Sequence, residues 1–285
     1  MQPTFTTIRE ARHWASVFLQ EHNRETRVAD LLLEYYLGLT FAQLLAYERD
    51  PFPEEKKKGF VCSVRNHAST GVPVQHLIGH AHFYGRDFKV NADVLIPRPE
   101  TEELVVGVKD WMRTYEITSP VIADIGTGSG VIAITLALET NAKVLAADVS
   151  NEALGVAQQN AQALAAEVEF RQGSYLEPFY DQQIDVLVSN PPYIAYKDKK
   201  EMDDTVLNFD PELALFAEEE GLAAYKAILN QLQEQPSLIA FEIGYNQGEA
   251  VKRLIEVRFP EAAVEVRQDI NKKDRMVFAT HQRFL

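Results

Sequence analysis

Only one cysteine, Cys62, occurs among the 285 residues of this chain, which excludes an intramolecular disulfide framework and a cysteine-built zinc site. Long apolar runs are missing too. None approaches the roughly 18 residues of a membrane span, and the N-terminus lacks the apolar core of a secretory signal. Glu10, set among the N-terminal arginines, argues against a transit peptide. These absences point to a cytoplasmic protein without membrane contact. Basic charge is also in short supply: 28 Lys and Arg stand against 42 Asp and Glu, a net charge of −14. Counterion release rewards basic surfaces, so direct DNA binding is not expected, although a local basic patch would keep nucleic acid open as a substrate. The remaining composition, 46% hydrophobic and 25% charged, is ordinary for a globular protein, and the length suggests two domains at about 150 residues each.

The first 72 residues carry helical periodicity. Ile8, Ala11, Ala15, Phe18 and Leu19 recur on one face, and so do Val28, Leu31, Leu32 and Tyr35, a run that stops at Gly38. Thr40 suits an N-cap before Phe41, Leu44 and Leu45, and a further helix would hold Phe60, Val61, Val64 and Ala68 before Gly71. From Pro73 to Arg98 the chain turns β-prone, with Phe83, Phe88, Val90 and Val94 to Ile96 punctuated by glycine and asparagine, and a hairpin connector is expected there. Beyond it, apolar strand-like runs at 121–125, 144–147, 168–170, 186–189, 238–243, 264–266 and 276–279 alternate with helical stretches at 131–138, 152–165, 222–232 and 247–257. The alternation predicts an α/β fold, a mostly parallel sheet covered on both faces. The last two runs leave no room for a helix between them and should form an antiparallel end.

Val121-Ile-Ala-Asp-Ile-Gly-Thr-Gly-Ser-Gly130 reads as a strand that ends in alternating glycines and opens a helix. Glycine lets the backbone take positive φ and approach a ligand, and the free amides of the next helix would then face that ligand. The spacing is G-x-G-x-G, whereas a dinucleotide fingerprint would need glycine where Val131 stands. The loop of Gly126, Thr127, Gly128, Ser129 and Gly130 therefore suits a nucleoside with an amino-acid tail better than a nicotinamide or flavin cofactor. A plain βα turn is the competing reading. Asp148 follows Gly126 by 22 residues, at the end of the next strand-like run, where an acid can accept hydrogen bonds from both hydroxyls of a ribose. Alone, it would pass for a helix-capping acid.

Asp185-Val-Leu-Val-Ser-Asn190-Pro191-Pro192-Tyr193 is the most informative stretch. An apolar strand delivers Asn190 to its carboxyl end, where open α/β sheets bind ligands. Pro191 and Pro192 remove two backbone donors and fix φ, which leaves stiff carbonyl acceptors. With the side-chain oxygen of Asn190 and the flat ring of Tyr193, these groups fit a planar substrate that presents an NH2 group. A proline-rich turn with Tyr193 as packing would be the plainer account, but few such turns need this order after such a strand.

Together, G-x-G-x-G, the distant acid and N-P-P-Y resemble the class I S-adenosylmethionine-dependent methyltransferases that modify planar amino or amide nitrogens. Within that group, four stretches are similar to the release-factor glutamine methyltransferases, the PrmC/HemK family. They are Pro73-Val-Gln-His-Leu-Ile-Gly79 with Phe83-Tyr-Gly85, Val94-Leu-Ile-Pro-Arg-Pro-Glu-Thr-Glu102, Asp210-Pro211 with Ala214-Leu215, and Phe241-Glu-Ile-Gly244 with Gln247. The resemblance implies a Rossmann-like seven-stranded sheet and the cofactor S-adenosyl-L-methionine. Gly126, Thr127, Gly128, Ser129 and Gly130 would line the cofactor, Asp148 would bind its ribose, Tyr175 would lie beside the adenine, and Asn190 would touch cofactor and substrate alike. Asn190, Pro191 and Tyr193 would be catalytic, and Asn190, Pro191, Pro192 and Tyr193 would hold a glutamine. The implied substrate is the glutamine of the Gly-Gly-Gln motif in class I peptide-chain release factors, a modification that modulates translation termination. The implied layout is a helical docking domain over 1–72, a hairpin connector over 73–98 and a methyltransferase domain over 99–285, acting as a monomer. An adenine amino-group methyltransferase acting on nucleic acid is the alternative that the same corner allows.

Other residues invite weaker readings. Phe83 and Arg98 would wall the pocket. Glu100 and Glu102 fit the first turn of a helix, where the dipole favours acids, and Glu242 at a strand end is ambiguous. Cys62 is expected to be a buried small side chain. His67, His76, His80 and His82 include an i, i+4 pair, but no acid–histidine spacing accompanies it and no metal is expected.

Overall fold

The computed structural model describes residues 3–202 and 204–284, which fall into two compact units. The first runs to Gly79 and takes in the helix Asp204–Phe209. Its helices Ile8–Glu21, Arg27–Leu37, Phe41–Ala46 and Glu54–Thr70 lie where the periodicity places them. Thr7 and Thr40 start two of them with capping boxes, each accepting the amide three residues on while Glu10 and Gln43 reach back. Gly38 and Gly71 end two others in the left-handed conformation. The apolar faces close over Leu19, Leu32, Leu33, Leu44 and Phe60.

Cys62 departs from expectation: it is exposed. The buried stripe of its helix is Phe60, Val64 and His67, and a residue two places from Phe60 points about 200° away from that stripe. His67 is buried and hydrogen-bonds the Val72 carbonyl through Nδ1 at 2.7 Å, and burial lowers its pKa. It is a satisfied core histidine.

The second unit begins with a hairpin of β1 (His80–Phe83) and β2 (Arg86–Lys89). The strand character expected for 94–96 is not realised, because Asn91 Oδ1 accepts the Asp93 amide at 3.1 Å and turns the chain. Val90, Val94 and Ile96 instead bury themselves with Ala81, Ala153 and Val156. The main sheet comprises β3 (Val121–Ile125), β4 (Lys143–Asp148), β5 (Val168–Gln172), β6 (Val186–Ser189), β9 (Leu238–Glu242), β10 (Ala263–Gln268) and β11 (Asp274–Thr280). Its order is β10-β11-β9-β6-β3-β4-β5, parallel from β9 to β5, with β11 antiparallel to both β9 and β10. A two-stranded sheet of β7 (Ile194–Ala195) and β8 (Phe216–Ala217) lies in the segment after Tyr193, which carries no periodic apolar pattern.

Burial on both faces explains the continuous apolar runs of the central strands. Ile122, Val144, Ala146, Val186, Val188, Leu238 and Ala240 share one core with the helices Pro99–Thr114 and Val131–Glu139. Ala123, Ile125, Leu145, Ala147, Leu187, Ile239 and Phe241 share the other with Ala223–Gln231 and Gly248–Arg258. By the period of two, Asp124 and Glu242 belong to the first face, each at the carboxyl end of its strand. Among the described residues no helix is long and apolar enough to cross a membrane.

Candidate active site

The glycine loop and the Asn190 corner meet because β3 and β6 are neighbours whose chain connections leave on opposite sides, the place where open α/β sheets bind ligands. Ser189 Oγ donates to the Ile125 carbonyl at 2.5 Å and ties the two strand ends together. A cavity of about 350 Å³ opens beside them, large enough for a small ligand. Gly126, Thr127, Gly128, Ser129, Asp148, Tyr175, Asn190 and Pro192 line it, together with Arg98 and Thr101. Gly130, Pro191 and Tyr193 are not among the lining residues.

The three glycines differ in what they do. All have positive φ, at +74°, +55° and +83° for Gly126, Gly128 and Gly130. A Cβ on Gly126 or Gly128 would meet nothing within 4 Å, so these positions keep the cavity open. On Gly130 it would meet Ile134 Cδ1 at 2.8 Å and Ala157 Cβ at 3.1 Å, so this glycine serves the packing of the loop.

The loop's own amides are largely occupied within the protein. The Gly126 and Thr127 amides bond the Ala147 carbonyl, Gly130 bonds the Thr127 carbonyl, and Gly128 donates to Asp148 Oδ2 at 2.9 Å. From beneath, buried Asp124 accepts the Thr127 hydroxyl at 2.7 Å and the Ala133 amide at 3.1 Å through Oδ2. Burial pushes the Asp124 carboxyl up to about 7, against the pull of those two hydrogen bonds. A loop with its donors so engaged makes a poor phosphate cradle, which agrees with the missing third glycine of the dinucleotide pattern.

Asp148 ends β4 and accepts the Ser150 amide through Oδ1 at 3.0 Å, so each carboxylate oxygen retains a further lone pair. Tyr175 is half-buried on the cavity wall at φ +52°, and burial raises its hydroxyl pKa.

Asn190 is held from the side. Ser189 pairs in register with Phe241, which brings Asn190 beside Glu242. Asn190 Nδ2 donates to Thr101 Oγ1 at 3.3 Å, and Thr101 Oγ1 donates to Glu242 Oε2 at 2.7 Å. Glu242 is 2% exposed, and burial pushes its carboxyl up to about 7 although hydrogen bonds from Thr101 and Asn190 and the charge of Arg275 oppose the shift. Gln247 fastens the end of the corner: its Nε2 donates to the Tyr193 carbonyl at 2.9 Å while its Oε1 accepts the Gly244 amide at 3.0 Å. The Tyr193 hydroxyl is pushed up to about 12, chiefly by burial and then by the nearby Glu242 charge. Arg98 pairs with buried Asp210 at 3.0 Å.

Phe83 does not wall the cavity. It alternates inward on β1 with Ala81 and is buried in the core that holds Phe88 and Leu104. Glu102 has a local task, accepting the Tyr84 amide at 2.8 Å. The motifs give Asp124 no role and leave Glu242 ambiguous. Each is an acid within an otherwise apolar strand, a buried charge that asks for a reason. Among the described residues, no group of three or more His, Cys, Asp or Glu side chains is placed to hold a metal ion.

Comparison with known proteins agrees with this geometry. Residues 10–79 match a family model described as the PrmC N-terminal domain, and residues 111–209 match one described as a methyltransferase small domain. The release factor glutamine methyltransferase of Bacillus cereus is 46% identical over 279 residues, covering 95% of this chain and 98% of that protein. This chain belongs to the release factor glutamine methyltransferase family. The family member from Bacillus subtilis is 45% identical over 281 residues, covering 96% and 97% of the two chains. Among solved structures, the N-terminal domain of human METTL16 in complex with SAH aligns at a TM-score of 0.51 and 14% identity, covering 82% of this chain and 84% of that one. At that identity the likeness is one of fold. The release factor glutamine methyltransferase family thus accounts for the helical first unit and for the sheet that follows it.

Proposed function

We propose that this protein transfers a methyl group from S-adenosylmethionine to the side-chain amide nitrogen of the glutamine in the Gly-Gly-Gln motif of class I peptide-chain release factors, as a cytoplasmic monomer. Membership of the family over nearly the whole chain carries this reading. The cavity fits the cofactor on its own terms. Gly126 and Gly128 leave passage for a thin chain, Asp148 retains acceptor sites for ribose hydroxyls, and the Tyr175 ring offers a flat surface to a base. Thr127 and Ser129 complete the wall, and Gly130 supports it from behind. When bound, S-adenosylmethionine supplies a methyl group made electrophilic by the sulfonium that carries it.

The residues of the corner prepare the nitrogen. An amide nitrogen is a weak nucleophile because its lone pair is delocalised into the carbonyl. Asn190 Oδ1 and the Pro191 carbonyl accept its two N–H bonds, which fixes its plane and leaves more electron density on it. As positive charge develops on nitrogen those two bonds strengthen, the differential binding that catalysis requires. Sulfur would keep the electron pair of the broken C–S bond as a neutral thioether, and the nitrogen, acidified by methylation, would release one of its two protons to water. Pro192 and Tyr193 brace the acceptors, with Gln247 holding the Tyr193 carbonyl. Residues 1–72 dock the folded release factor, and residues 99–285 carry the chemistry.

The test is incubation of the full chain with a class I release factor and isotope-labelled S-adenosylmethionine, followed by mass analysis of the Gly-Gly-Gln peptide. One labelled methyl group on the glutamine is the expected result. Label on duplex DNA and none on release factor would overturn the reading in favour of adenine.

A further inference from the structure

The chemistry above leaves Glu242 without a task. A carboxylate in a strand that is otherwise buried and apolar is unfavourable unless its charge or its hydrogen bonds are used. We propose that Glu242 is a positioning residue: acting through Thr101, it dictates which end of the Asn190 carboxamide faces the cavity. The inference rests on the glutamine reading of the corner and adds to it the device that aims the acceptor.

The argument is a matter of counting protons. Thr101 Oγ1 carries one hydrogen and gives it to Glu242 Oε2 at 2.7 Å. Toward Asn190, 3.3 Å away, Thr101 can then present only lone pairs. Asn190 answers with Nδ2, which also reaches Glu242, and so turns Oδ1 outward as an acceptor. A protonated Glu242 reverses the chain. Its O–H donates to Thr101 Oγ1, Thr101 donates to Asn190 Oδ1, and the NH2 end turns to the cavity, where it opposes the N–H bonds of the substrate.

The groups facing Glu242 come from every element around it. Arg275 from β11 favours its ionised form. Glu100, on the helix that carries Thr101, opposes ionisation. Tyr193 stands in the corner itself, and Tyr225 donates its hydroxyl to the Glu242 carbonyl at 2.8 Å. Burial, seconded by Glu100 and opposed by Thr101, Arg275 and Asn190, brings the carboxyl up to about 7, so both orders of the chain are within reach near neutrality. The ionised form is the competent one, and activity should therefore rise with pH through that value.

Release-factor methylation by the full chain, followed about two pH units either side of neutrality, tests the inference. In the wild type, kcat should fall as pH drops through about 7. Glu242→Gln can present either end of its amide to Thr101. If only a tenth of the molecules then aim Oδ1 outward, kcat falls about tenfold and the acid limb vanishes, with cofactor affinity unchanged by calorimetry. Thr101→Val should also abolish the limb, and Thr101→Ser should restore it. A Glu242→Gln variant with wild-type kcat and limb overturns the proposal, as does a Thr101→Val variant that keeps the limb. A second readout needs no turnover. In the substrate-free protein, the Asn190 side-chain NH2 resonances should titrate through about 7 in wild type and stay still in Glu242→Gln. A pH-independent Asn190 signal in wild type sinks the inference whatever the assay reports. Absence of methyl transfer by the wild type, with a titrating Asn190, would instead discard the glutamine reading.

Discussion

The two corners of the site end neighbouring apolar strands, and each rests on a buried carboxylate, yet they are made of opposite materials. After β3 come three glycines at positive φ, and after β6 come two prolines. Asp124 holds the first corner through Thr127 and Ala133, 3 and 9 residues away. Glu242 holds the second through Thr101, 141 residues away in sequence. A loop that must leave room for a ligand is fastened by its own neighbours, so it can be copied as one short motif. The corner that we propose aims an acceptor is fastened by a helix and a strand from distant parts of the chain, so its direction is a property of the assembled fold.

Removing the aimed acceptor should have the largest effect. Asn190→Ala is expected to lower kcat about 10²–10³-fold, the scale of one preorganised polar contact, while calorimetry still detects cofactor. Near-normal turnover would erase the distinction between the corners. Asp148→Asn should act on the other side, weakening cofactor binding about 10–100-fold, as follows from about 1.5–3 kcal/mol for hydrogen bonds to a charged group. Its kcat at saturating cofactor should hold, and an unaltered Kd would remove Asp148 from the site.

The smallest effect concerns stability. Because the folded-state pKa of Asp124 is raised to about 7 from 3.8, the folded protein keeps a proton that the unfolded chain releases. Its contribution is therefore fully present below about 3.8 and is lost as pH rises through about 7. Asp124→Asn retains an acceptor for Thr127 and Ala133 without ionising. Its Tm should gain on wild type as pH rises across that window, and a pH-independent difference in thermal melts would show that Asp124 holds no proton.

How much of this was legible depends on how local the cause is. Strands 121–125 and 186–189 match the observed β3 and β6 end to end, because burial on both faces writes an uninterrupted apolar run. The two-residue strands β7 and β8 leave no such trace. The glycine pattern marks the loop but does not tell Gly128, which keeps space open, from Gly130, which lets Ile134 and Ala157 approach. Apolar composition alone placed Cys62 inside, whereas its angle on the helix turns it outward. Asn190 was readable from Asn-Pro-Pro-Tyr. Its orientation was not, since Thr101 stands 89 residues away and only the packed helix brings it within reach.

The lack of N–H groups at Pro191 and Pro192 has a consequence for selectivity. Glutamate has the size and shape of glutamine, and no steric sieve could separate them. On the proposed reading it brings lone pairs and charge to two acceptors, Asn190 Oδ1 and the Pro191 carbonyl, with no hydrogen to offer either. Sites built to grip an N–H reject the analogue without it by about 10⁴–10⁵. A release factor whose glutamine has deamidated would thus be refused on electrostatic grounds, and damaged copies would stay unmarked.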